Sequence, residues 1–316
     1  MFLKMGSFFL EPHQPSTIQL YNGTFEKSDN IITRDRMIDV SLTGNGNRIA
    51  IDTSSWTDDG KTTVLNFDSG DEGTWVAGVS TKARNIELEA EAFNDYLVHD
   101  GVLDMLEYRK TNSIMDQDAV EKYSKHVKTV FQVGDKRTDD WSTILGYPIE
   151  FVPMSNPYTS KQGDELSFKL LWQGQPLANQ LVYAGGAVPG HQHEEGSDHD
   201  HSHDEGDEGH HHDADQFRTN DEGIVSIPIT ESGHWYVRTI HMKEIEEEGL
   251  THESNWATIT FQIGNDAVHE EGAHHHGDGI YHTHEDGTTH SHFNYAYLLG
   301  GVLLLGLLFW VLRRKK

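Results

Sequence analysis

Two short stretches of this sequence carry most of the residues that could do chemistry. Residues 189–216 hold eight histidines and ten carboxylates, with no Lys or Arg. Within them, His191/His193, His199/His201/His203 and His210/His211/His212 are spaced so that a pliable backbone can wrap two or three imidazoles round one ion. Residues 266–292 repeat the bias with six acids and eight histidines: His269, His274, His275, His276, His282, His284, His290 and His292. Neutral imidazole is the commonest protein ligand for Ni, Co, Zn and Cu, and carboxylates add oxygen ligands and a field that concentrates cations. Both tracts therefore read as collectors of a divalent transition metal. A site without a preformed cage follows the general affinity order of the metals, so composition does not choose among the four. The competing reading is a pair of solvated acidic spacers attached to an interaction module.

Neither tract can bury enough apolar surface to offset the entropy of ordering its backbone, so folded elements must hold both in place. The 316-residue chain is long enough for two ordinary domains, and its formal charge of −27 argues against nucleic acid as a partner. No cysteine is present, which excludes disulfides, Cys-type zinc sites and thiol catalysis. An HExxH helix, a GxSxG elbow and a phosphate-binding glycine loop are all missing from the sequence. With no compact acid/base or nucleophile constellation, the chain reads as a binding protein and not an enzyme.

The elements are mainly β. Short runs rich in β-branched and aromatic residues occur at 17–21, 37–42, 48–51, 62–67 and 74–79, with Asn45-Gly46 as a hairpin turn. Residues 86–104 and 118–130 carry apolar residues at helical spacing, which predicts a helical insertion bearing His99 and His126. Further strands are expected at 149–152, 165–172, 180–183, 224–227, 233–241 and 256–263. The organisation predicted is a β-sandwich over 7–145 with a helical insertion, then an immunoglobulin-like sandwich over 146–264 whose loop is the first tract. A His-rich stalk at 265–292 follows.

Residues 293–312 form a twenty-residue uncharged, mostly apolar run, long enough to cross a hydrocarbon core of roughly 30 Å. Tyr295, Tyr297 and Trp310 sit near its ends, and the basic tail 313–316 sets the C-terminus in the cytoplasm. The bulk of the chain is then expected outside the cytoplasm, in a periplasm-like space, anchored by one membrane helix. Residues 1–10 lack the apolar core of a signal peptide, so the expected start lies upstream.

Several segments carry a resemblance. FFLEP (8–12), GYPIEFVPMSNPY (146–158), KQGDELSF (161–168), GQPLANQLVYAGG (174–186), TNDEGIVSIPITESGHWYVRTIHM (219–242) and SNWATITFQI (254–263) together resemble a periplasmic domain-of-unknown-function family. Its members are the NikM-like components associated with nickel and cobalt uptake. The resemblance implies a periplasmic protein serving a metal transporter, and tilts the metal toward nickel or cobalt. It departs at the opening segment, where Gly6 and Ser7 stand before Phe8 and the family's histidine is missing. It also draws attention to His241, which matches the histidine after the GxWYVR-like strand. Placed at a strand end, His241 has two readings: a fixed anchor that joins the loop imidazoles, or a structural residue that satisfies backbone groups there. His234, seven residues away, faces the other side of that strand.

Overall fold

The computed structural model describes residues 1–187 and 214–264, and the backbone of 282–283 and 289–290. The chain begins with strands β1 (Phe2–Lys4), β2 (Phe9–Leu10), β3 (Pro15–Tyr21), β4 (Met37–Gly44), β5 (Asn47–Ala50) and β6 (Trp56–Asp59). It continues with β7 (Thr62–Asp68), β8 (Gly73–Thr81) and β9 (Arg84–Leu88), then helices α1 (Ala90–His99) and α2 (Leu103–Thr111). After the long β10 (Ala119–Val133) come β11 (Ile149–Pro153), β12 (Glu165–Trp172), β13 (Gln175–Pro176) and β14 (Leu181–Ala187). The remaining large strands are β15 (Asp215–Arg218), β16 (Ile224–Pro228), β17 (Gly233–Glu244) and β18 (His252–Ile263). The fold is mainly β, as the sequence predicts.

Turn chemistry explains the clearest hairpin. Asn45 and Gly46 join β4 to β5 with φ of 51° and 74°, the positive values that a two-residue loop needs to match strand twist. The Asp140 carboxylate accepts from both of their backbone N–H groups, at 2.9 and 2.8 Å.

One large sheet organises the molecule. Its order is β15-β14-β17-β18-β10-β8-β4-β5, with β2 and β9 also paired to β10. Two smaller sheets, β1-β3-β7-β6 and β11-β12-β13 with β16 on β12, complete the layers. Along β17, Trp235 and Val237 join a core with Ile18, Leu20 and Leu65 of one small sheet and Leu166, Phe168 and Val225 of the other. Ile240 and the partly buried Met242 point instead toward Phe93, Leu97 and Met105 of the helices. The period-two alternation thus packs both faces of the large sheet.

Three expectations need correction. Residues 118–130 are not helical: from Ala119 on they lie in β10. That strand has β18 parallel to it on one side and β8 and β9 antiparallel on the other. Both its faces are buried along much of its length, so alternation is lost and the β-branched Val120, Val127, Thr129 and Val130 are the better guide. Residues 86–104 divide into the end of β9, α1 and the start of α2. The boundary expected at 145/146 does not separate two sandwiches: β10 and β18 pair from Glu121↔His252 to Thr129↔Thr260, and Met1–Asp266 form one compact unit.

In the second unit, Ala267–Lys316, strands β19 (His282–Thr283) and β20 (Thr289–His290) pair antiparallel. The expected membrane helix at 293–312 and basic tail at 313–316 lie outside the described residues. Among those described, no helix is long and apolar enough to cross a membrane.

Candidate metal centre

The structure describes the stems of both histidine tracts. β14 and β15 pair antiparallel from Leu181↔Arg218 to Ala184↔Asp215, at one edge of the large sheet. The first tract is therefore an insertion in an edge hairpin, leaving after Ala187 and returning at Ala214. Ala187 pairs with His234 on β17, and His234 pairs with Gln262 on β18. Gly264, which leads to the second tract, follows Ile263 at this same end of the sheet. Two strand spacings of about 4.8 Å put the two exits roughly 10 Å apart across the sheet. The loop before β8, where His13 Nε2 lies 3.2 Å from Asp71 Oδ1, also sits at this end, since Gly73 pairs with Val133.

His191, His193, His199, His201, His203, His210, His211 and His212 lie outside the described residues, as do His269, His274, His275, His276, His284 and His292. The backbone register of β19 and β20 sets His282 opposite His290. Among the described residues, no group of three or more His, Asp or Glu side chains is arranged to hold a metal ion.

His241 lies within β17 and not at its end. It stands seven residues from His234, roughly 23 Å along the strand at about 3.3 Å per residue, on the far side from both exits. Its Nδ1 is 2.9 Å from Gln180 Oε1. The Gln180 amide nitrogen donates to Thr239 Oγ1 and to the Ile240 carbonyl, at 3.0 and 3.1 Å. Oε1 is therefore the acceptor, His241 carries its proton on Nδ1, and the ring packs 4.8 Å from the Trp172 ring. Burial first and Lys243 second push its pKa down, against a smaller opposing effect of Glu253. The Gln180 side chain thus gives His241 a structural partner, and the histidine beside the stems is His234, whose ring lies 4.9 Å from Phe8.

Two other histidines are buried, each 2% exposed. His126 bridges Ser80 Oγ at Nδ1 (2.9 Å) and Ser124 Oγ at Nε2 (3.0 Å). His252 Nδ1 lies 2.7 Å from Thr251 Oγ1, while its buried Nε2 has no hydrogen-bond partner. Burial pushes both down to about 4, helped at His252 by Arg109. Both are neutral residents of the sheet.

The family model for a domain of unknown function, DUF4198, matches residues 3–243. The chain belongs to this family. Comparison with curated proteins finds no match. The DUF4198 match runs through 145/146 without a break, in agreement with the shared sheet, and ends in β17 one strand short of β18.

Sequence reasoning missed the polar recesses of this DUF4198 chain. One, of about 230 Å³, is lined by Lys125, Arg238, Asp100, Asp29, Asn22 and Trp256 among others. A second, of about 210 Å³, shares Lys125, Asp100 and Trp256 and adds Tyr96, Glu121 and Tyr123. The sequence signal was the charge pattern of β10, where Glu121, Lys125 and Lys128 interrupt an otherwise strand-like run. A third recess, of about 470 Å³, is lined by Arg109, Glu244 and His252.

Proposed function

We propose that this protein is a membrane-anchored, extracytoplasmic collector of divalent transition-metal ions that serves a metal transporter. The observation that supports it most is the common exit of the two tracts. The strand positions Ala187 and Gln262 flank His234 in register, so two histidine-rich segments separated by a long folded stretch start from one end of one sheet. Each tract is tethered to a folded strand and supplies imidazoles that can ligate an ion without a rigid cage. The acidic neighbours add attraction for cations. Residues 293–312 would anchor the chain, with 313–316 on the cytoplasmic side.

Nickel and cobalt are the favoured ions, on the resemblance to NikM-like components, with zinc and copper next in line because all four accept imidazole. The protein captures or buffers the ion and passes it on; no catalytic step is part of this reading.

Titration calorimetry of the whole chain in non-ionic detergent with Ni, Co, Zn and Cu tests the proposal. The comparison protein replaces the 8 + 8 tract histidines by Ser. Binding by the parent and not by the variant supports metal collection, and the tightest ion identifies the pathway served. Equal titrations of the two would reduce the tracts to spacers and move attention to the sheet surface.

A further inference from the structure

The recess of about 230 Å³ lies where β10, β17 and β18 meet the end of α1 and the segment 22–30. Pairing builds its floor. Lys125 pairs with Trp256 and Arg238 with Thr258, two residues on along β18, so the two cations sit diagonally across one strand on one face. Lys125 Nζ donates to Asn22 Oδ1 at 3.0 Å and lies 4.4 Å from the Trp256 ring centre. Arg238, only 6% exposed, rests 4.5 Å from the Tyr183 ring and donates from Nη1 to the Asp100 carbonyl at 3.0 Å. Its buried Nε has no hydrogen-bond partner. That nitrogen is enclosed by protein, so the guanidinium meets the recess through its other atoms.

The lining also carries the carboxylates of Asp29 and Asp100, so both signs of charge are present within one small volume. With a net charge of −27 on the chain, a plain anion is repelled at long range, whereas a ligand bearing both signs is not. The volume lies below the roughly 300–1,000 Å³ of drug-sized sites, which limits the ligand to a small metabolite. The adjoining recess, sharing Lys125, Asp100 and Trp256, offers room for a side chain.

We propose that this recess binds a small zwitterion of the α-amino-acid class. Arg238 and Lys125 take its carboxylate, Asp100 and Asp29 take its ammonium group, and Trp256 packs beneath. Burial has lowered the Lys125 ammonium to about 8; a bound carboxylate favours the charged form and draws a proton onto the lysine. The site is independent of the histidine tracts.

The test is calorimetry of the whole chain in non-ionic detergent, with a chelator present to keep metal off the tracts. The probes are glycine, L-leucine and L-glutamate, beside succinate and ethylenediamine as ligands of one sign. An amino acid should bind with Kd below about 1 mM, with succinate and ethylenediamine at least about tenfold weaker. Lys125→Gln and Asp100→Asn should each weaken it about tenfold or more, with unchanged circular dichroism, and the Ser-for-His tract variant should bind normally. Arg238→Lys, which keeps the charge but loses the fork, serves as the second carboxylate-side variant if Lys125→Gln fails to fold. No amino acid binding, binding unaltered by these variants, or a preference for succinate would each overturn the proposal.

Discussion

Lys128 Nζ lies 3.0 Å from Glu150 Oε2, and the two side chains are 1% and 2% exposed. The pair is fully satisfied. Lys128 also donates to the carbonyls of Thr143 (2.8 Å) and Phe151 (3.0 Å). Glu150 accepts from the backbone N–H groups of Leu145, Gly146 and Tyr147. Together they fasten the connector 143–147 between β10 and β11, at the point where the sequence suggested a domain boundary. Burial pushes the Lys128 ammonium down, and the Glu150 carboxylate beside it opposes the shift.

Removing one partner strands the other as a buried charge. Lys128→Met should therefore destabilise the protein by about 3–5 kcal/mol, whereas the double variant Lys128→Met/Glu150→Gln should recover part of that loss. Urea unfolding followed by tryptophan fluorescence measures both. A single variant as stable as the parent would show that the pair contributes nothing.

The shared sheet makes a second expectation. A fragment of residues 1–145 would expose the side of β10 that β18 covers, and 146–264 would lose the same pairing from the other direction. Neither should fold alone, while residues 1–266 should unfold in one transition. In hydrogen exchange, the amides of Val127–Thr129, flanked by β18, should outlast those of β5, whose four residues are all exposed at the sheet edge. Two separate transitions would restore the two-domain organisation.

Much of this was legible in the sequence for local reasons. Asn45-Gly46 named its turn because two consecutive positive φ values select those residues. β12 and β16 alternate apolar and polar residues because a neighbouring sheet covers one of their faces. β10 was not legible, since burial on both faces erases its period. Its identity rests on partners that lie more than a hundred residues away in β18. The tracts announced their chemistry by composition, yet their common exit depends on the register Ala187↔His234↔Gln262, which no local pattern encodes. For the same reason no local pattern showed that His234, and not His241, stands level with the stems.

Acid should unfold the protein in a defined window. His126 and His252 titrate near 4 in the fold against an ordinary 6.5, so between those values the unfolded chain binds more protons. Stability is then complete above about 6.5 and falls as pH drops toward 4, by at most about 3 kcal/mol for each residue. Burial is the main cause at His252, with Arg109 adding to it, and the buried Nε2 has no acceptor for a second proton. Thermal melts from pH 7.5 to 4.5 should show Tm decreasing, and His252→Gln should flatten the slope. A parent whose Tm is level across this range would contradict the buried neutral histidines.

Metal capture should follow pH for a separate reason, and the two effects can be told apart. The tract imidazoles must be deprotonated to ligate, so affinity should weaken as pH falls through about 6.5, their reference value. The fold loses stability over an overlapping range, so circular dichroism must accompany the titration. At pH 5.5 the expected result is a protein still folded by its spectrum but binding the favoured ion at least about tenfold more weakly than at 7.5. His252→Gln, which acts on the sheet and not the tracts, should move the melting curve and leave the metal titration where it was. Equal affinity at pH 5.5 and 7.5 in a folded protein would sink the imidazole account and shift the ligand role to the carboxylates, which stay ionised at both.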